Sequence, residues 1–248
     1  MGTIERASDG GTEPGGAAQV PGVVAVLVAA RDEADRIVAT LGALAATFPG
    51  AVLWVADDGS RDATAELARA AGARVAGTGR RVGKGQAMSA AAARALAEAP
   101  GAERGVLVLC DGDLGESAGD LAPLASAVGS GECDLAVAAF ARRVGGGFGI
   151  ARGFARWAIR RACGLETVAP ISGQRALDRR TLARVLPFAG GFGMEMGMTI
   201  DAVRGGARVV EIELALSHRA TGRTAAGFVH RARQLLDFVR AYRARRVG

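Results

Sequence analysis

Three times in the first half of the chain a continuous apolar run ends on carboxylates. "VVAVLVA" (23–29) leads to Asp32 and Glu33, "AVLWVA" (51–56) to Asp57 and Asp58, and "GVLVLCD" (105–111) to Asp111, Gly112 and Asp113. Unbroken runs rich in valine and leucine are the mark of strands buried on both faces. Between them the period changes. Ile37, Leu41, Leu44 and Phe48 recur at helical spacing, "DDGSRDATAELARAAG" offers Ser60 or Asp62 as a cap and Gly72 as a stop, and "GKGQAMSAAAARALAEA" reads as a helix opened by glycines. "ARVAG" (73–77) and "CDLAVAAF" (133–140) add two shorter strands, and a helix is expected over 117–128. This alternation predicts an α/β fold, a single domain with a mostly parallel central sheet flanked by helices. Ligands of such sheets sit outside the carboxyl ends of the strands, so the three acidic loops are expected to converge on one edge. After residue 140 an Arg- and Gly-rich stretch, "RRVGGGFGIARGFARWAIRRACGLETVAP", breaks the rhythm.

Composition narrows the class. A chain of 248 residues, half of them hydrophobic, can bury a full core. The three cysteines, Cys110, Cys133 and Cys163, show no CxxC spacing, which argues against a disulfide framework and fits a reducing compartment. The longest apolar run, Val20 to Ala30, is too short for a bilayer span, which takes roughly twenty residues. Residues 1–20 are acidic and Gly-rich, unlike a basic leader, and read as a disordered tail. The net charge of +6 is concentrated at the end: residues 218–248 hold eight arginines and one acid, Asp237. An anionic partner is expected there. The near absence of stacking aromatics argues against nucleic acid.

Individual motifs each allow two readings. Asp111 and Asp113, two residues apart at a strand end, suit a divalent cation that also holds a diphosphate, or else form a polar turn capping the next helix. "VADDGSRDAT" can offer carboxylates to a base or ribose, or be an Asp-Gly turn with a helix cap. Lys84, the only lysine among thirty arginines, stands between two glycines at a helix start, where it would meet phosphate or merely solvent. His218, after the strand "RVVEIEL" (208–214), is a candidate metal ligand or a structural histidine, and Arg219 and Arg223 are candidates for holding phosphate.

Taken in order, "VLVAARDEADRI", "VADDGSRDAT", "GKGQAMSAAAARA", "VLCDGDL" and "SGQRALDRRTL" resemble the successive motifs of family 2 glycosyltransferases with a GT-A fold, over about Val23 to Val210. The polyprenyl-phosphate (dolichyl-phosphate) hexosyltransferase branch is the most similar. The resemblance implies a metal-dependent, inverting transfer from a UDP- or GDP-linked sugar to a polyprenyl phosphate or a small-molecule hydroxyl, with Mg²⁺ or Mn²⁺ as cofactor. Ala29, Ala30 and Glu33 would line the nucleoside pocket, Asp57 would read the base and Lys84 would sit near the nucleotide. Asp111 and Asp113 would bind the metal, with His218 from the far side. Glu195, in a segment similar to the acceptor-side helix, is a candidate base; otherwise it is a helix-surface carboxylate. Two departures stand out: Arg31 and Asp32 replace Tyr and Asn of the family's first motif, and Ala169 stands where an aspartate often precedes the proline.

The plan expected from this is a nucleotide-sugar-binding half (21–140), an acceptor-side half (141–224) and a basic amphipathic helix (225–248). That helix carries Phe228, Ala232, Leu235, Val239 and Tyr242 on one stripe. It would pack on the core with a solvated basic face, or lie on a membrane in a cytoplasmic protein peripheral to the inner face. Two other classes share part of the pattern. A sugar-nucleotide nucleotidyltransferase would carry a basic glycine-rich loop after strand one, where "AARDEAD" stands, and a non-catalytic dinucleotide-binding module would carry G-x-G-x-x-G there.

Overall fold

A computed structural model describes residues 22–77, 79–98, 105–140, 149–214 and 225–246. The elements run β1 (Val23–Ala30), α1 (Ile37–Thr47), β2 (Val52–Asp57), α2 (Thr64–Ala70), β3 (Arg74–Gly77), α3 (Lys84–Glu98) and β4 (Val106–Asp111), then a 3₁₀ turn (Gly115–Leu121) leading into α4 (Ala122–Gly129). β5 (Leu135–Phe140), α5 (Gly149–Cys163), β6 (Arg175–Asp178), α6 (Arg179–Val185), α7 (Met194–Arg204), β7 (Val209–Leu214) and α8 (Ala225–Ala244) complete the chain.

The strands form one seven-stranded sheet in the order β3-β2-β1-β4-β6-β5-β7. All neighbours are parallel except β6, which runs antiparallel to both β4 and β5. The mostly parallel sheet in a single domain is as the sequence leads one to expect. Register explains the gathering of the acids: Ala30 lies opposite Asp57, and Ala29 opposite Asp111. The carboxyl ends of β2, β1 and β4 therefore present Asp57, Ala30, Ala29 and Asp111 as one row along the rim.

Period-two alternation sends Val26, Val28, Val108 and Cys110 to one face, where Ile37, Leu41, Leu44, Leu121 and Leu124 cover them. Leu27, Leu107 and Leu109 go to the other face, under Met88, Ala91, Ala95, Leu182 and Met198. A third cluster joins α5, α7 and α8 through Ala155, Ile159, Met196, Ile200 and Phe238.

Helix α5 fills part of the stretch in which the rhythm breaks. Its buried face is Ala151, Ala155, Ala158 and Ile159, spaced for a helix but diluted by arginines on the other side. The expected helix over 117–128 starts as a 3₁₀ turn and becomes α-helical only near Pro123, which is tolerated at a first turn. The tail at 1–20 lies outside the described residues. Among those described, no helix is long and apolar enough to cross a membrane.

Candidate active site

The first two acidic loops are stitched to each other. Asp32 adopts φ 57°, and its carboxylate accepts from Arg61 N at 2.7 Å while its own N–H donates to Ser60 Oγ at 3.0 Å. Glu33 N donates to Thr64 Oγ1 at 2.8 Å, and Ala34 N to Asp62 Oδ2 at 3.1 Å. Asp and Asn enter the left-handed region more readily than most residues, so Asp32 suits the bend. Asp57, buried at the end of β2, accepts from Ser60 N at 3.2 Å and from the Ser60 hydroxyl. On β3 a Cβ at Gly77 would lie 3.2 Å from the Asp57 carbonyl oxygen, so a side chain there would press on that aspartate.

Asp58 turns away from this pair and clamps the loop before α3. Its Oδ1 accepts from Val82 N at 2.7 Å and Gly83 N at 2.6 Å. A side chain on Gly59 would come within 2.6 Å of the Arg80–Arg81 peptide. The second acid and the glycine of "DDGS" therefore fix where Lys84 emerges. Gly85 has a parallel purpose: a Cβ there would collide with the carbonyl oxygen of Ala189. The start of α3 thus packs directly on the backbone that leads into α7, whose first turn carries Glu195.

That packing brings one cation between two carboxylates. Lys84 Nζ lies 2.6 Å from Asp111 Oδ1 and 2.8 Å from Glu195 Oε1. Burial by itself favours a neutral amine, but Asp111 and then Glu195 outweigh it, and the Lys84 pKa is raised. The other oxygen of Asp111 accepts from Gln174 Nε2 at 2.8 Å. Gly173 makes room for this arrangement, since a Cβ there would sit 2.7 Å from Asp111 Oδ2 and 3.0 Å from Lys84 Nζ. Beneath Asp111, burial and then the aspartate itself push the Cys110 thiol far up, leaving it an inert packing group.

The Asp111-Gly112-Asp113 turn is pinned from α1. Gly112 N donates to Ala29 O at 2.8 Å, and Thr40 Oγ1 donates to Gly112 O at 2.9 Å while accepting from Gly115 N at 2.8 Å. Arg36 Nη1 donates to Asp113 O at 3.1 Å. Thr40 is fully buried, as a threonine can be when both hydroxyl functions are used.

Of the residues singled out from the sequence, Ala29, Ala30, Asp57 and Asp111 share the rim, Asp113 follows on the pinned turn, and Lys84 and Glu195 meet Asp111. Glu33 lies in the stitched first loop. His218, Arg219 and Arg223 lie outside the described residues. Among the described residues no group of three or more His, Cys, Asp or Glu side chains could hold a metal ion by itself. Thr40 and Gln174 were not singled out, although each falls in or beside a quoted motif, and Asp58, named only as an acid of the second loop, proves to be a clamp on the loop before α3.

Comparison with known proteins bears on the family and the fold. The family model for glycosyl transferase family 2 matches residues 25–190. Among curated proteins none matches the sequence. Solved structures of glucosyl-3-phosphoglycerate synthase from Mycobacterium tuberculosis share the fold. The complex with Mn²⁺, UDP-glucose and glycerol 3-phosphate is 26% identical, with a TM-score of 0.71 over 99% of this chain and 90% of that one. The complex with Mg²⁺ and UDP is 24% identical, with a TM-score of 0.72 over 99% and 88%. Another structure of that synthase is 27% identical, with a TM-score of 0.69 over 92% and 83%. The chain belongs to glycosyl transferase family 2 and is a glycosyltransferase of the GT-A fold.

Proposed function

We propose that the protein transfers a sugar, with inversion, from a UDP-linked donor to a small anionic acceptor in the presence of Mg²⁺ or Mn²⁺. The observation that carries this reading is Lys84 held between Asp111 and Glu195. It joins a carboxylate of the nucleotide rim to a carboxylate on α7 through one cation. The UDP donor and the small phosphorylated acceptor are supported by the ligands of the similar synthase structures.

Each residue has a role in this account. Ala29, Ala30 and Glu33 line the nucleoside, and Asp57 faces the base. Arg219 and Arg223, in the segment after β7, meet the diphosphate. Two aspartates around a glycine at the rim are the oxygen donors that Mg²⁺ and Mn²⁺ take alongside phosphate oxygens, so Asp111 and Asp113 would hold the ion, with His218 a further ligand. Bound there, it would neutralise charge on the departing diphosphate. Lys84 stays cationic and adds positive charge on the same side. The acceptor hydroxyl oxygen attacks the anomeric carbon while the bond from that carbon to the β-phosphate oxygen breaks, its electron pair leaving with the diphosphate. Glu195, in the first turn of α7, takes the hydroxyl proton.

A lipid-phosphate acceptor at a membrane surface is the second reading, and one feature favours it. Ile150 is 81% exposed, Trp157 45% and Leu236 54%, beside exposed Arg156, Arg240 and Arg243. The Trp157 and Tyr242 rings, 5.1 Å apart, join α5 to α8 in this surface. Assays with UDP-glucose and, separately, a small phosphorylated hydroxy acid and a polyprenyl phosphate distinguish the two. Product from the small acceptor without vesicles is expected, with its anomeric configuration inverted by NMR. Product from the lipid alone, or from neither, contradicts the first reading.

A further inference from the structure

Arg175 opens β6 in register with Leu109 of β4 and Val137 of β5, so the three side chains share one face of the sheet. That face is an apolar layer of Leu107, Leu109, Val137, Leu177, Met194 and Met198, yet the arginine within it is 0% exposed. Burial lowers its pKa to about 10, with Glu195 and then Glu211 pulling the other way. A guanidinium so placed is costly to bury, so its hydrogen bonds and the carboxylates near it must hold it there.

The arginine supplies two fixed tethers. Its Nε donates to Ser172 O at 2.8 Å and its Nη1 to Thr199 Oγ1 at 2.9 Å. Ser172 immediately precedes Gly173 and Gln174, which lean on Asp111. Thr199 lies one helical turn beyond Glu195 and donates to its carbonyl at 3.1 Å. From the other side Glu211, also buried, accepts from Val168 N at 2.8 Å and Ala169 N at 2.9 Å, fixing the chain that leads to Ser172.

We propose that Arg175 is a positioning residue of the transfer site: by holding Thr199 and the Ser172 carbonyl at once, it fixes Glu195 relative to Asp111 and Lys84. The inference rests on the proposed function only for its activity readout. A displacement of about 1 Å at a reacting centre costs about a hundredfold in rate, so loss of these tethers is felt in turnover before it is felt in binding.

The test compares Arg175→Met, Arg175→Lys and Thr199→Val in the full chain. Arg175→Met is expected to bind UDP with Mn²⁺ within about twofold of the parent while kcat falls about 30-fold or more. Amides of residues 195–199 should exchange about tenfold faster. Arg175→Lys, which keeps the charge and can still donate to one of the two acceptors, should recover most of the lost kcat. Thr199→Val should lower kcat in the same direction, with the Arg175→Met/Thr199→Val pair no worse than Arg175→Met alone. Unchanged kcat and exchange in Arg175→Met overturn the proposal, as does a loss that lysine fails to recover while Thr199→Val behaves like the parent. If Arg175→Met does not fold, Thr199→Val decides, and unaltered exchange of α7 overturns it. A parent protein that turns over no sugar donor contradicts the functional reading, and the exchange comparison still decides the positioning role.

Discussion

Lys84 Nζ and Glu195 Oε1 stand 2.8 Å apart although 111 positions separate them in the chain. Their meeting depends on the bare backbone of Gly85 against Ala189, and it makes the first turns of α3 and α7 one structural unit. Lys84 also reaches Asp111, so one ammonium offsets two carboxylates that would otherwise repel each other.

Removing that charge leaves Glu195, 6% exposed in its side chain, without its ion-pair partner. Lys84→Met is expected to reduce sugar transfer about a hundredfold or more, the usual scale for loss of a preorganised charge in a site. Lys84→Arg should not restore it, since the guanidinium is planar and larger. Steady-state kinetics with UDP-glucose, alongside circular dichroism to check the fold, measure this.

Gly85→Ala tests the packing behind the pair. The added methyl meets the Ala189 carbonyl, and backbone must move to admit it. A stability loss of about 1–3 kcal/mol is expected from overpacking, read as a lower urea midpoint. Transfer activity should fall further than the fraction unfolded explains.

How much of this was legible follows from local pattern. β1, β2 and β4 are buried on both faces, so their apolar runs stand out, and parallel pairing then places Asp57 and Asp111 on one rim. β6 has only four residues, Arg-Ala-Leu-Asp, with a charge at its first position, and no period can be read from so short a run. Its antiparallel insertion brings Gln174 to Asp111, a contact set by topology. The glycines around Lys84 suggested a phosphate cradle, but Gly85 is bare because Ala189 is close, a relation between residues about a hundred positions apart. Arg175 looked like one arginine among thirty until the sheet register set it between Leu109 and Val137.

Thr40 holds the Asp111–Asp113 turn with both hydroxyl functions. Thr40→Val keeps the shape and deletes the bonds, leaving buried backbone groups unsatisfied at a cost of about 1–3 kcal/mol. The variant should also bind UDP with Mn²⁺ about tenfold more weakly, as titration calorimetry would measure. Equal affinity would show that the turn keeps its geometry without α1.

At the opposite end of the sheet Asp134 accepts from Arg208 N at 2.7 Å and from its guanidinium at 3.0 and 3.1 Å. The hydrogen bonds from the Arg208 side chain, over the opposing effect of burial, hold the carboxyl pKa below its ordinary 3.8. A depressed folded-state pKa stabilises the fold above the unfolded value, and that contribution is lost as pH falls through the folded one. With the Arg208 side chain 59% exposed, solvent screens the pair and its contribution is small. Asp134→Asn should therefore be slightly less stable than the parent at neutral pH, and the gap should close in acid below the ordinary aspartate range. A gap independent of pH would contradict this.

The central claim is that the carboxylates at the rim serve a nucleotide through a divalent cation. Thermal unfolding with UDP, with and without Mn²⁺, tests it most directly, using the parent and Asp113→Ala. At a hundredfold excess over Kd, binding stabilises the fold by about 2.7 kcal/mol, an upward shift in Tm of about 5–10 °C. The account predicts that shift only when UDP and Mn²⁺ are both present, and its loss in a normally folded Asp113→Ala. A UDP shift that ignores the metal, or no shift under any condition, would contradict it.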